Sequence, residues 1–198
     1  MRYSETHRAE THEKLVRLAG RVLRKKGPDR FSVAELMASA GLTHGGFYAH
    51  FKSKDALLAE ALQGIFEESN RKLDQLADGL PPRRALEKFI DNYVSPAHRD
   101  KAATGCPIVA LNSHLPAQSR KFRATFDDGV RQLIGNLAGH MNTAGLADSE
   151  KLAAFVLAAM AGAVVLSRAV SDANLSHALL ASARNTIKTQ LGLSTTVD

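Results

Sequence analysis

Apolar residues recur every three or four positions along most of the chain, and the pattern breaks where glycine and proline cluster. This is the spacing of one buried face of an α-helix. It predicts an all-α fold of about nine helices, with no convincing strand. Residues 1–10 are expected to form a disordered, basic arm, and residues 95–105 a mixed loop. Apart from two short helices between residues 32 and 53, the predicted helices span about 11–26, 54–76, 83–94, 118–142, 149–170 and 174–191, and another begins at Pro107.

The clearest local signals lie between residues 31 and 55. Ser32 can cap a helix, and Glu35 stands three residues later, as in a capping box. Phe31 and Leu36 occupy the two positions of a hydrophobic staple. Gly41 suits the positive φ of a tight turn at a helix C-terminus. These signals predict a short helix, a turn and a second helix, which is the helix-turn-helix arrangement.

The second of these helices carries little on its outer side. Thr43 is its predicted N-cap, and Phe47 and Phe51 form its core edge. Gly45 and Gly46 then lie on exposed surface, although each costs about 1 kcal/mol relative to alanine in a helix. A backbone without side chains can approach a phosphate or a base edge closely. We therefore predict that this helix contacts DNA.

A third helix begins directly afterwards, with Ser53 as its predicted N-cap and Lys54 as its first residue. A cation at the positive end of a helix dipole is unfavourable unless an anion lies opposite. A DNA phosphate would be that anion.

The segment 41–57, G-L-T-H-G-G-F-Y-A-H-F-K-S-K-D-A-L, resembles the DNA-binding signature of the tetracycline-repressor-type (TetR) transcription regulators. The resemblance implies an N-terminal three-helix DNA-binding domain at 1–53 and a C-terminal helical bundle for ligand binding and dimerisation at 54–198. Chain length and helix count agree with that division. The predicted DNA-binding residues are Ser32, Thr43, His44, Gly45, Gly46, Tyr48, His50 and Lys54.

The same resemblance implies a homodimer built through the last two helices. One short recognition helix reads few bases, so a two-fold partner and a palindromic operator are expected on physical grounds as well. The small residues between 153 and 163 would let another helix approach closely, although from pattern alone packing within the chain is an equal alternative. By resemblance, a small-molecule inducer in the bundle would tilt the helix that begins at Lys54 and release the DNA.

The charge distribution supports a nucleic-acid partner. Residues 1–54 contain 11 Lys and Arg and 5 Asp and Glu, whereas residues 55–198 contain 15 of each class. The net charge of +6 therefore lies entirely on the first quarter of the chain. A basic segment alone is commonly a solvated face, but its coincidence with the helix-turn-helix favours DNA.

Cys106 is the single cysteine and precedes Pro107, which suits the first position of a helix. The thiol is therefore expected at a helix N-terminus, where the dipole can lower its pKa. The alternative is a buried cysteine that acts as a small apolar residue. The Gly-Cys pair resembles a TetR branch in which such a cysteine senses electrophiles or oxidants. Arg168, a lone cation in an apolar helix, is expected near that thiolate, near a ligand anion or in a salt bridge.

The remaining sequence contains no other recognisable chemistry. The eight histidines, His98 and His114 among them, show no metal-ligand spacing, and no catalytic triad order, phosphate-binding loop or carboxylate pair is present. We expect no catalytic site, no metal and no cofactor. The N-terminus lacks the apolar run of a signal peptide, and no apolar stretch approaches the ~18 residues of a membrane span. A cytoplasmic protein without membrane contact is therefore expected.

The predicted function is that of a DNA-binding regulator, a homodimeric repressor released by a small-molecule or an electrophile/oxidant inducer. Two alternatives stay open. One is an activator of the same family. The other is a ligand- or thiol-responsive helical enzyme or carrier with a vestigial DNA-binding domain, against which the segregated charge and the intact signature argue.

Overall fold

The computed structural model describes residues 5–193, and the regular structure in that range is entirely helical, as predicted. The α-helices are α1 (Glu5–Lys26), α2 (Val33–Ser39), α3 (Lys54–Ala77), α4 (Pro82–Tyr93), α5 (Pro96–Asp100), α6 (Pro107–Leu111), α7 (Arg120–Thr143), α8 (Ser149–Ala169) and α9 (Ala173–Gln190). Three 3-10 helices accompany them, at His44–Ala49, Ala102–Thr104 and Asn112–Ala117.

Two segments differ from the prediction. Residues 5–10 belong to α1 and not to a disordered arm, while residues 1–4 lie outside the described range. The Arg8 guanidinium donates to the Ala49 carbonyl, and this contact with a distant turn was not visible as periodicity. The expected loop at 95–105 contains α5, whose N-cap is Ser95; its hydroxyl accepts from the His98 amide at 3.2 Å. A five-residue helix is too short to show a repeat.

The segment His44–Ala49, here called the recognition segment, is a 3-10 helix and not an α-helix. Thr43 occupies the N-cap position, as predicted, but its side chain makes no capping hydrogen bond. The segment is closed by backbone bonds from Gly46 to Thr43 (3.1 Å) and from His50 to Phe47 (2.9 Å). Adjacent glycines weaken α-helix formation, and 3-10 geometry is typical of such short pieces.

Helix α3 forms the centre of the molecule, with α1 packed on it near the N-terminal unit and α7 packed along it in the bundle. The ring of Phe66 on α3 faces Gly129 on α7 so closely that a Cβ at position 129 would overlap it. Phe66 also meets Phe126 edge-to-face, with ring centroids 5.4 Å apart. α3 and α7 are thus in intimate contact, and the same α3 continues without a break to Lys54 beside the recognition segment.

Helix α8 corrects the expectation that no stretch is long enough to cross a membrane. By length and composition alone it qualifies, with a mean hydropathy of 2.0. Its high hydropathy comes from valine, leucine and phenylalanine together with many alanines. The helix packs between α7 and α9, and core helices of bundles pass the same test. One such helix is weak evidence for a membrane span.

Candidate nucleic-acid interface and thiol cavity

Of the capping box predicted at the start of α2, only the hydrogen bond to the Ser32 hydroxyl is present. The Ser32 hydroxyl accepts from the Glu35 amide at 3.3 Å, and Phe31 and Leu36 are buried. The Glu35 carboxylate binds Lys26 at 2.8 Å, so an ion pair with α1 takes the place of the reciprocal cap. α2 is therefore fastened to α1 at this end, and Gly41 turns the chain after it with φ of 76°.

The recognition segment buries one side chain and leaves its outer side open. Phe47 is buried and packs against Phe51, with ring centroids 5.5 Å apart. His44 is exposed, and Tyr48 is 69% exposed. A Cβ added at Gly45 would meet no atom within 4 Å, so no steric demand of the described fold requires glycine there. A glycine at position 45 is explained if another molecule approaches this backbone.

Lys54 lies at the edge of this open side. Ser53 caps α3 by accepting from the Ala56 amide at 3.1 Å, as predicted. The Lys54 ammonium lies 5.9 Å from the centroid of the Phe31 ring, which fixes it near the start of α2 at Ser32. Ser32 and Lys54, two of the predicted DNA-binding residues, are thus neighbours through Phe31.

His50 and Gly46 are less accessible than the sequence suggested. Both are half-buried, and a Cβ at Gly46 would lie 3.6 Å from Met37 Cε. Burial, assisted by the charges of His12 and Arg8, lowers the pKa of His50. Its Nδ1 is buried without a hydrogen-bond partner in the described chain. The ring is therefore neutral at pH 7 and directed toward α1.

Cys106 lies at the N-cap of α6, as predicted, and its thiol agrees with the alternative of a buried cysteine and not with a lowered pKa. The residue is buried, and burial raises the pKa of the Cys106 thiol. The backbone amides of Ile108 and Val109 at the helix start do favour the thiolate, but the withdrawal of the sulfur from water outweighs them. At neutral pH the side chain is a thiol.

A histidine holds this cysteine in place. The Cys106 amide donates to His98 Nε2 at 2.9 Å, and His98 Nδ1 lies 2.7 Å from the Tyr93 carbonyl oxygen. Nδ1 must therefore carry the proton and donate to that carbonyl, while Nε2 accepts. Burial lowers the pKa of His98, so this single neutral tautomer persists at pH 7. The sequence predicts a surface or core-edge position for His98, and its two partners, five and eight residues away, show no periodicity.

Arg168 reaches neither the thiolate nor an acidic partner among the hydrogen bonds of the described residues. Its guanidinium donates to the backbone carbonyls of Arg99 at 3.0 Å and of His98 at 3.4 Å. Arg168 thus connects α8 to the end of α5. We expected it to contact a thiolate or to form a salt bridge, and the structure shows these hydrogen bonds to backbone carbonyls in their place. Its influence on Cys106 passes through the position of His98.

Two long-range contacts join the N-terminal unit to the bundle near Cys106. Arg24 of α1 is buried and donates to the Ala103 carbonyl at 2.8 Å and to Glu68 of α3 at 3.1 Å. Asp29 accepts from Gln118 at 2.8 Å and pairs with His114 at 3.0 Å. His114 therefore belongs to the contact between the N-terminal unit and the bundle.

Helices α8 and α9 each have a side that is buried within the chain and a side that is exposed. Of the small residues predicted to form one surface, Ala153, Ala161 and Ala163 are buried within the chain. The exposed side of α8 holds Phe155, Gly162 and Leu166. On α9, Leu175 is 47% exposed, whereas Leu191 is buried. The outward apolar surface is thus narrower than predicted and richer in large side chains.

Comparison with known proteins agrees with this geometry. The model of the bacterial regulatory proteins of the tetR family matches residues 15–61, and that of the LmrA/YxaF-like transcriptional regulator C-terminal domain matches residues 82–179. The chain belongs to the TetR family. Residues 31–54 are accordingly the helix-turn-helix of a TetR-family protein.

Sequence relatives of this TetR-family chain are partial matches. It is 33% identical over 84 residues to the uncharacterised HTH-type regulator YerO of Bacillus subtilis, covering 41% of the chain and 29% of the relative. It is 28% identical over 85 residues to the repressor DhaR of Mycobacterium sp. (42% and 43%). It is 24% identical over 132 residues to the repressor NemR of Escherichia coli (65% and 66%). The chain thus matches less than two thirds of the length of these curated relatives.

Solved structures share the TetR-family fold over nearly the full length. The reduced form of E. coli NemR superposes with a TM-score of 0.79 at 20% identity, covering 91% of this chain and 96% of the other. A TetR-family regulator from Cytophaga hutchinsonii gives 0.77 at 18% identity and full coverage of both chains. At these identities the likeness establishes the fold alone.

Proposed function

We propose that this TetR-family chain is a homodimeric, DNA-binding transcriptional repressor that an inducer releases from a palindromic operator. The observation that carries the proposal is the open outer side of the recognition segment. Exposed His44, Gly45 and Tyr48 adjoin Lys54 in the part of the chain that holds the entire net positive charge. Such a surface suits a phosphate backbone and the base edges beside it.

Within this surface we assign different roles to different residues. Ser32, Tyr48 and Lys54 would position the protein by contacting phosphates. Thr43 and His44, with the Gly45 backbone, would read base edges, because the Thr43 hydroxyl makes no capping bond and stays available. The less accessible Gly46 and His50 would support the segment's backbone. We keep residues 1–53 as the DNA-binding domain and 54–198 as the sensing and dimerisation domain.

The dimer would form through the outer sides of α8 and α9. Phe155 and Leu166 are more than half exposed, and Leu175 nearly so, which is costly for a monomer. Gly162 lies between the first two on α8 and would let a partner helix approach. A two-fold pair of recognition segments is what a palindromic site requires.

Release would begin in the bundle. A small molecule bound there, or an electrophile or oxidant that modifies Cys106, would displace the segment 103–106. Arg24 links that segment to α1 and α3, so the displacement would reach the DNA-binding domain. An inducer must bind the released form more tightly than the DNA-bound form for this to work. Because the thiol is buried and protonated, modification of Cys106 would be slow unless the bundle opens.

The experiment is an anisotropy titration with DNA from the chain's own upstream region, at several salt concentrations. Neutralising six to ten phosphates gives a log–log slope of roughly −5 to −9. Release is then measured with hypochlorite or a quinone, on the wild type and on Cys106→Ser. A slope near zero would refute DNA binding. Equal release of both proteins would refute the Cys106 role alone.

An activator of the same family uses the same surface, and a reporter assay with and without the chain distinguishes the two. We propose no enzymatic or carrier role, because the segregated positive charge and the open outer side of the recognition segment favour a DNA-binding regulator. A cytoplasmic location, where the operator lies, follows from the proposal.

A further inference from the structure

The bundle forms a cavity of about 250 Å³ beside Cys106 that is partly open to solvent. Its walls are chiefly apolar and include Leu73, Phe89, Leu137 and Leu157. An apolar cavity of about 150 Å³ is large enough for benzene. This one therefore has room for a substituted aromatic molecule.

One polar group at this cavity lacks a partner. The hydroxyl of Tyr93 is buried and makes no hydrogen bond within the described chain. Its neighbour is the Cys106 thiol, which is only a weak donor and acceptor. The Tyr93 ring is held edge-on by His98, at 4.6 Å between centroids, and by Phe89, at 5.9 Å. The hydroxyl therefore keeps its place while lacking the partner that buried polar groups normally have.

The inner wall carries no charge that could balance a ligand anion. The Cys106 side chain is a thiol, since burial raises its pKa. His98 is neutral and uses both ring nitrogens on backbone groups. Burial also raises the pKa of Tyr93 well above its usual range, so the phenol stays protonated. The cations that act on these groups, Arg168 on Tyr93 and Arg24 on Cys106, do not line the cavity and donate to backbone carbonyls. An anion placed here would therefore have no direct ion-pair partner on the inner wall.

Two lysines border the cavity at its rim, and both are exposed to solvent. Lys72 binds Glu68 at 2.8 Å and the Thr104 carbonyl at 3.3 Å. Lys101 is the other. Both lysine charges therefore lie in solvent at the rim and not on the inner wall.

We infer that this cavity binds an uncharged, largely apolar molecule, about the size of a substituted aromatic, whose oxygen acceptor receives a hydrogen bond from the Tyr93 hydroxyl. The inference rests on the proposed function, because it names the class of inducer. It requires no reaction at Cys106.

Three probes of nearly equal shape test the inference: 2-acetylnaphthalene, 2-isopropylnaphthalene and 2-naphthoate. They share the ring system and differ in carrying a neutral acceptor, no acceptor or a negative charge. None reacts readily with a thiol. Affinity is measured by equilibrium dialysis on the full chain without DNA, so the result is independent of operator binding. The ketone should bind about three- to tenfold more tightly than the hydrocarbon, as expected for one neutral hydrogen bond. Naphthoate should bind at least about tenfold more weakly than the ketone.

Tyr93→Phe is the decisive variant, because it removes the hydroxyl and keeps the ring. It should bring the affinity for the ketone down to that for the hydrocarbon while leaving the hydrocarbon's affinity unchanged. Its Tm should fall little, since the hydroxyl loses only a weak interaction with the Cys106 thiol. Tyr48→Phe, the same change outside the bundle, should leave all three affinities unchanged in this DNA-free measurement.

Equal binding of ketone and hydrocarbon by the wild type would overturn the inference, as would tighter binding of naphthoate or no binding of any probe. If the ketone binds as expected but leaves the DNA complex intact, the cavity assignment stands and its role in induction falls. If the chain binds no DNA at all, the proposed function fails while the dialysis result is unaffected.

Discussion

Gly45→Ala should strengthen the free protein and weaken its DNA complex. The added methyl group would enter open space, because no atom lies within 4 Å of a Cβ at this position. Replacing glycine by alanine inside a helical segment stabilises by about 0.5–1 kcal/mol. For a chain of this length that corresponds to a rise in Tm of roughly 1–4 °C.

In the DNA complex the same methyl group would lie between the backbone and the DNA. Overfilling a close contact typically costs about 1–3 kcal/mol. A dimer with two recognition segments would lose that amount twice, so Kd should rise by at least about 25-fold. Differential scanning calorimetry measures the first effect, and anisotropy at fixed salt measures the second.

Gly135→Ala is the matched control. Gly135 is an exposed glycine of α7, and a Cβ there also meets no atom within 4 Å. It should gain similar stability and bind DNA like the wild type. If Gly45→Ala binds DNA as tightly as Gly135→Ala, the backbone of the recognition segment does not approach the DNA. If Gly45→Ala lowers Tm, the space around position 45 is not open.

Four further predictions concern single side chains. Lys54→Ala should weaken binding to all sequences alike and flatten the salt slope by about 0.9 per half-site, whereas an unchanged slope would remove Lys54 from the phosphate contacts. His44→Ala should cost roughly 1–3 kcal/mol and relax preference at one base position in a site library; a uniform loss over the library would contradict base reading. Alkylation of Cys106 should be slow at pH 7 and accelerate about tenfold per pH unit up to its raised pKa, because only the thiolate reacts; a plateau near neutrality would mean a lowered pKa. Leu166→Glu should convert the dimer to monomer in sedimentation experiments without unfolding it, since the side chain is already 55% exposed within one chain; an intact dimer would exclude this face.

Features set by neighbouring residues could be predicted from the sequence. The caps Ser32 and Ser53 and the turn at Gly41 depend on atoms within three or four residues, and each forms as expected. The capping hydrogen bond expected from Thr43 did not form, and the helix that follows it, which contains two adjacent glycines, is a 3-10 helix and not an α-helix. The predicted capping box at Glu35 was lost to Lys26, which lies nine residues earlier on another helix.

The thiol cavity could not be predicted, because its chemistry depends on burial and on contacts across the fold. Helix position alone indicated a lowered pKa for Cys106, whereas enclosure by the bundle reverses the direction. The link from Arg24 to Ala103 spans 79 residues, and a buried arginine has no signature in an amphipathic pattern. Tyr93 lies on a helix of ordinary periodicity, so nothing local marks its hydroxyl as unpaired.

In the proposed release, the close contact between Phe66 and Gly129 would act as the pivot about which α3 tilts. Twelve residues separate Phe66 from Lys54, so the arm measures about 18 Å at 1.5 Å per residue. Tilting α3 by about 10° around this pivot would move the Lys54 end by roughly 3 Å. In a two-fold pair the two ends move in opposite directions, which alters their separation by up to about 6 Å against the 34–36 Å repeat of successive major grooves. A side chain at position 129 would force α3 and α7 apart at Phe66. Ligand binding in the bundle would then no longer tilt α3.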